Sequence, residues 1–394
     1  MISEHRHGWM TTERDHAIPI ARPWLGREEA DAAAETIATG WIAEGPRVAA
    51  FERALAARVG VSHGVAVSSC TAGLHLSLVV LEIGPADEVI VPSLSFIATA
   101  NAPRYVGATT VFADVEPETQ NLSAGTIERV LSPSTRAVIL VHQAGVPADI
   151  VAMHELCDPR GISVIEDAAC AIGSTYVGRP IGAHSDLVTF SFHPRKVVTT
   201  GEGGMIMARR DEWAARLRRL REHGMSVGAT ERHTSRELVI EEYLETGFNY
   251  RMTDVQAAIG LVQLGRLDAI VERRRELAGR YQEALADLPG IEVARDPPYG
   301  TTNYQSFWVV LPEDFPIDRN ELLRRMMAEG ISPRRGIMAA HLEPAFRDHP
   351  AGDLPVTERL THRSLLLPLF HEMTEAQQDR VIAVLRREAG LRGG

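Results

Sequence analysis

Residues 137–167 read AVILVHQAGVPADIVAMHELCDPRGISVIED, and the alternation of patterns in this stretch decides the fold. An unbroken apolar run, Ala137-Val138-Ile139-Leu140-Val141, gives way to a helical pattern over 149–157. A second run, Ser163-Val164-Ile165, follows. Strand runs that are apolar throughout, without alternation, are buried on both faces, the mark of a parallel sheet covered by helices.

Moving outward, the same alternation spans Gly64 to about Ala208. Further β-branched runs stand at 65–67, 89–91, 110–112 and 187–190, joined by helix-like segments at 72–81, 95–105 and 124–131. The expected fold class is α/β, a mostly parallel central sheet flanked by helices with right-handed crossovers. Upstream, a helix runs from Gly26 to a stop at Gly40, residues 41–46 form a turn, and a second amphipathic helix from Val48 ends at Gly60. Downstream come a basic amphipathic helix over 209–221, a long helical pattern over 253–288 broken once, and a linker-like stretch at 296–300. An α+β pattern closes the chain: strand 306–311, helix 318–330, strand 365–367 and a last helix opened by the capping box Thr374-Glu375-Ala376-Gln377. The expected division is a mobile tail (1–17), a large α/β domain (18–255), and a long linking helix with a small α+β domain (256–394).

Composition narrows the function. The chain has 394 residues, 45% hydrophobic and 24% charged, with 41 Lys plus Arg against 52 Asp plus Glu and a formal net charge of -11. Such an acidic balance argues against non-specific nucleic-acid binding, which depends on clustered positive charge. The three cysteines, Cys70, Cys157 and Cys170, make neither a CxxC nor an even framework, so disulfides and a cysteine metal site are not expected. The polar N-terminus has no apolar signal-peptide core and no run is long enough to span a bilayer, which gives a cytoplasmic reading without a membrane partner.

Three segments carry candidate chemistry. In Ser191-Phe192-His193-Pro194-Arg195-Lys196, followed by a glycine-rich stretch, Lys196 is either a surface loop lysine or an amine nucleophile that forms a Schiff base. The nucleophile needs desolvation or a neighbouring cation to lower its pKa. In Val164-Ile165-Glu166-Asp167-Ala168-Ala169, a buried strand runs out into an acidic pair at the sheet edge where α/β folds collect ligands. Asp167 there is either an N-cap or a carboxylate facing a pyridinium nitrogen. In Ser68-Ser69-Cys70-Thr71-Ala72-Gly73, a strand turns into a helix whose free amides, with the Ser69 and Thr71 hydroxyls, suit a phosphate; a simple N-cap is the alternative. Neither GxGxxG nor GxxxxGK[ST] is present, so dinucleotide and ATP-loop readings lack their fingerprint.

SFHPRKVVTTGEGG, VIEDAA and SSCTAGLHL together resemble the pyridoxal-phosphate sugar aminotransferases of the DegT/DnrJ/EryC1/StrS family. IPIARPWLG, TGWIAEGPRVAAFE, VPSLSFIATANAPRYVGA, VHQAGVPAD, GFNYRMTDVQAAIGLVQL and MAAHLEPAF agree in order and spacing from about Ile18 to the C-terminus. The resemblance implies a fold-type-I transferase that moves an amino group from L-glutamate or glutamine to a keto carbon of a nucleotide-linked sugar, in a homodimer with shared active sites. It makes Lys196 the Schiff-base lysine and general base, and Asp167 the partner of the pyridine nitrogen. It assigns the phosphate to Thr71, the Cys70 and Thr71 amides and Ser191, and ring stacking to Phe96. Asn249 would reach the neighbouring subunit's phosphate, and Trp41, His193 and His341 would lie on the sugar side. No metal is implied.

Two positions depart from the family pattern. Cys170 stands where many relatives carry Gln or His to support the cofactor's ring hydroxyl, and SSCT replaces a common Asn-Gly pair. Rival functions are a sugar 3-dehydratase, whose members carry histidine in place of the lysine, another pyridoxal-phosphate lyase, and a non-catalytic regulator. Cys70 at a helix N-terminus is also weighed as a thiol nucleophile, and Arg334-Arg335 as a contact for a nucleotide diphosphate.

Overall fold

The computed structural model describes residues 17–228, 235 and 238–390, so the tail expected over 1–17 lies, except for Ala17, outside the described residues. The first two helices, α1 (Arg27–Thr39) and α2 (Pro46–Val59), stop at Gly40 and Gly60, which take φ of 81° and 77°. Only glycine enters that left-handed region without a Cβ penalty, so both stops are local chemistry. Then follow β1 (His63–Val67), α3 (Cys70–Val80), β2 (Glu88–Pro92), α4 (Ile97–Tyr105), β3 (Thr109–Ala113) and α5 (Ala124–Glu128). The expected β-α-β unit is β4 (Thr135–Val141), α6 (Ile150–Cys157) and β5 (Ser163–Asp167). Two short strands, β6 (Thr175–Tyr176) and β7 (Arg179–Pro180), precede β8 (Leu187–Ser191), β9 (Gly204–Ala208) and α7 (Asp211–Arg221).

The seven-stranded sheet has the order β1-β9-β8-β5-β4-β2-β3. From β8 to β3 every neighbouring pair is parallel, and β9 alone runs antiparallel to both of its neighbours, β1 and β8. This strand has no counterpart among the runs named above. Two of its three central residues, Met205 and Met207, lack the branched Cβ that advertises a strand, and pairing on both sides decides its conformation. All three are buried.

Beyond α7, the long helical pattern divides at Arg266 into Asp254–Gly265 and Leu267–Ala284. The first piece packs against α1 and α2. A second, antiparallel sheet joins Glu292–Val293, Phe307–Val310, Ser364–Leu367 and Arg334–Arg335 in that order. The helix Pro355–Arg363 was not anticipated, because its sequence PVTERLTHR buries two threonines and one leucine rather than an apolar stripe. The linker-like stretch ends in Gly300–Thr301, which pairs with β6 and stitches the two parts together. Phe51, Phe190 and Phe192 share one apolar core with Tyr281 and Trp308 from the later part. Among the described residues no helix is long and apolar enough to cross a membrane.

Candidate active site

In an open α/β sheet the strands' carboxyl ends leave a crevice between the loops that follow them. Here the ends of β4, β5 and β8, the loop after β2 and the first turn of α3 surround one cavity of about 940 Å³. Lys196, Asp167, Cys70, Thr71, Phe96, Cys170, Ser191 and His193 all line it.

Successive side chains of a strand point to opposite faces, so the acidic pair at the end of β5 divides its tasks. Glu166 turns away from the cavity and is fully buried, bonded to His142 Nε2 at 2.9 Å and accepting from the Ser185 amide at 2.9 Å. His142 Nδ1 accepts from the Ala148 amide, so its proton sits on Nε2 and points at the carboxylate. Burial opposes the charge on Glu166, yet these bonds hold its carboxyl below the usual range.

Asp167 faces the cavity and is 4% exposed. Its Oδ1 accepts from the Ala169 amide at 3.1 Å, a local turn bond, and its Oδ2 accepts from the Thr99 hydroxyl at 2.9 Å. Thr99 is braced in turn by Ser95, four residues earlier and just ahead of α4, at 2.9 Å. The motif reading missed this pair of hydroxyls. The only sequence signal is a hydroxyl on either side of a helix start, which favours a local side-chain bond across the first turn.

Lys196 rides the loop between β8 and β9. Its Nζ donates to Cys170 Sγ at 3.1 Å. Burial disfavours the ammonium, but the neighbouring Cys170, Cys70 and Asp167 outweigh it and leave the lysine above its ordinary value. The lowered pKa expected of an amine nucleophile is therefore absent from this arrangement. Arg195, the nearest cation in sequence, is exposed, so it supplies no buried cation to depress the amine. Lys196 also stands out in a way that the motif reading passed over: it is the only lysine among the 41 Lys plus Arg residues of the chain, the rest being arginine.

The turn into α3 is shaped by a close approach. Ser69 is the N-cap, its hydroxyl accepting from the Ala72 amide at 3.1 Å while its own O–H stays available at the cavity wall. Thr71, half-buried, keeps a place on the cavity wall. A Cβ on Gly204 would sit 2.6 Å from the Cys70 nitrogen, so only glycine lets β9 press against this turn. The Cys70 thiol points beneath the turn, 3.8 Å from Asp167 Oδ1 and 3.8 Å from the Thr189 carbonyl. Burial, then the Asp167 charge, push its pKa well up, the reverse of what a thiol nucleophile needs.

The remaining candidates separate. Phe96 stands at the N-cap position of α4, is 58% exposed and lines the cavity, where a flat ligand can stack. His193 reaches the cavity, and its Nδ1 takes the Arg195 amide at 3.2 Å; burial lowers its pKa. His341 does not line the cavity. Ser93 Oγ holds its Nδ1 at 2.6 Å and Glu358 lies 3.5 Å from Nε2. Trp41 is also outside, half-buried over Gly45 in a turn pinned by the Asp254 amide to Ala43 and by Asp254 carboxylate bonds to the Arg47 and Val48 amides. Asn249 is exposed and outside this chain's own cavity, paired through its backbone with Glu222. Arg334 and Arg335 line the same cavity, as do Asn320 and Leu323.

The donor set fits pyridoxal phosphate. A carboxylate with one oxygen tied by a turn, a primary amine, an exposed aromatic ring and a helix N-terminus converge on one space. Known proteins agree. The chain is similar to the aminotransferase TlmJ from Streptoalloteichus hindustanus, with 37% identity, a TM-score of 0.87, and 95% of this chain and 99% of that one covered. It is also similar to S. venezuelae DesV in complex with a ketimine intermediate (34% identity, TM-score 0.87, 95% and 98% covered). DesI in the presence of its TDP-sugar product matches at 33% identity and TM-score 0.86, covering 95% of this chain and 93% of that one. A model of one family matches residues 23–386. With that span and these likenesses, the chain belongs to the DegT/DnrJ/EryC1/StrS aminotransferase family.

Proposed function

We propose that this protein transfers an amino group from L-glutamate or glutamine to a keto carbon of a nucleotide-linked sugar, with Lys196 holding the cofactor and Asp167 facing its ring nitrogen. Aminotransferase activity and the pyridoxal phosphate cofactor come with the family. The observation that carries the residue assignment is that the chain's single lysine enters the same cavity as Asp167. When bound, pyridoxal phosphate supplies an aldehyde that exchanges amines and a protonated ring that takes up an electron pair.

The chain's own groups do the rest. Asp167, fixed by Ala169 and Thr99, accepts the ring N–H and keeps it in place. The first turn of α3, with Thr71 and Ser191, holds the phosphate on amides and hydroxyls. Phe96 covers the ring. Lys196 Nζ, once free, moves the proton at the substrate carbon. The support for a large substrate is size: the cavity is near the upper end of small-molecule sites, roughly 1,000 Å³, and extends past Lys196 to Arg334 and Arg335. Asn249 and the 41–46 turn, outside this chain's cavity, would complete the site of a second subunit in a homodimer. A reducing cytoplasm remains the proposed setting.

The Thr99→Val protein keeps its shape and loses the donor to Asp167. Its turnover is expected to fall about ten- to hundredfold with little change in glutamate KM, as befits a lost bond to a charged group. Steady-state kinetics checks this. The substrate is tested by incubating the loaded protein with glutamate or glutamine and a panel of nucleotide-linked keto-sugars, read by mass spectrometry. Conversion of a carbonyl to an amine on one of them is expected; a panel returned intact by a protein that has accepted the donor's amino group would reject this substrate class.

A further inference from the structure

We propose that Cys170 is the proton partner of Lys196: its sulfur takes up and returns one proton of the lysine amine whenever that amine is free. The inference rests on the reading of Lys196 as the cofactor-holding residue. Cys170 is half-buried on the cavity wall, and its Sγ lies 3.1 Å from Nζ, within range of direct proton transfer. A thiol gives up and takes back a proton in the accessible pH range, as a primary amine does; a serine hydroxyl or an amide does not.

Cys170 is the group bonded to the lysine; Cys70 and Asp167 act on it only through their charge and make their hydrogen bonds elsewhere. From β5, Asp167 is bonded to Thr99 and Ala169. From α3, Cys70 directs its sulfur at Asp167 and the Thr189 carbonyl. On the lysine's own loop, His193 takes the Arg195 amide and lies 4.0 Å from Glu202. Burial penalises a lone ammonium, so the charged lysine needs a close partner, and Cys170 is the group in contact with it. The step is balanced within the pair: an Nζ–H bond breaks, an S–H bond forms, and ammonium with thiolate becomes neutral amine with thiol. The idle lysine is thereby kept charged, and its reactive form is made without water or a distant base.

Three experiments on the apoprotein test this. First, covalent capture of added pyridoxal phosphate is followed by visible absorbance across a pH series for wild type, Cys170→Ala and Cys170→Ser. Capture needs the uncharged amine and Cys170 favours the charged one, so both variants should shift the profile to lower pH by about one unit. Serine keeps an oxygen acceptor without a transferable proton in this range. A Cys170→Ser profile that matches wild type reduces Cys170 to a simple acceptor and overturns the proposal, as does an unmoved Cys170→Ala profile. Second, iodoacetamide labelling of Cys170, read by peptide mass spectrometry, should slow about tenfold at neutral pH in Lys196→Met, because the ammonium stabilises the anionic sulfur that attacks. Equal rates overturn the proposal without touching the cofactor reading. Third, borohydride reduction and peptide mapping place the cofactor; attachment away from Lys196 rejects the reading beneath both.

Discussion

The Lys196→Ala protein is expected to hold pyridoxal phosphate only non-covalently and to lose its reaction with glutamate by at least about a thousandfold. The substitution removes the covalent tether and the general base together, and a positioned base alone contributes roughly 10² to 10⁴. Rescue by a neighbouring amine is closed off, since no other lysine exists in the chain. The loop itself should survive, because Phe192 and Val198, both fully buried, anchor it on either side of position 196. Visible spectra before and after glutamate, together with intact mass after borohydride reduction, give the result. Lys196→Arg is the control for charge: it keeps a cation but supplies no amine to join an aldehyde. A wild-type spectrum in either variant, or no covalent adduct in the wild type, removes Lys196 from its role.

The second large effect belongs to Asp167→Asn. The amide can keep the shape and the turn bond to Ala169, and it gives up the negative charge. A pyridine nitrogen without an anion opposite it is no longer held protonated, and the electron pair released at the substrate carbon loses its destination. Removing preorganised stabilisation of developing charge costs about 3–4 kcal/mol, or roughly 10² to 10³ in turnover. Cofactor affinity should fall less, since the phosphate seat is untouched. Stopped-flow measurement of the glutamate half reaction separates the two quantities. Turnover close to wild type would leave Asp167 as a turn residue and nothing more.

Much of the fold was legible because it was written in local chemistry. The strands at β2, β4 and β5 are β-branched runs, Gly40 and Gly60 stop their helices in a conformation other residues avoid, and Thr374 opens its helix with the capping box seen in the structure. Lys196 and Asp167 could be paired from sequence because both stand in motifs that carry the resemblance; in the structure their strands, β8 and β5, prove to be neighbours that run out at the same edge. The contacts that set their chemistry were not legible. Thr99 meets Asp167 from 68 positions away and Cys170 meets Lys196 from 26, and no periodicity encodes such distances. His341 is placed on the sugar side only by the resemblance, and no pattern in the sequence announces that Ser93, 248 positions earlier, holds its Nδ1. The strand β9 stayed hidden because two methionines speak weakly for a strand until partners flank them.

The antiparallel strand has one more consequence. Because β9 returns directly beside β8, with Ser191 opposite Gly204, residues 192–203 form a noose whose two feet are laced together. Phe192 and Gly203 tie the first rung, at 2.9 Å, and Thr200 returns its amide to the Phe192 carbonyl at 3.0 Å. Such a noose cannot widen without unlacing the sheet, so the amine at its tip travels by swinging its own methylene chain while the backbone stands still. Swaps at the tip therefore read as chemistry, and changes at the feet read as architecture.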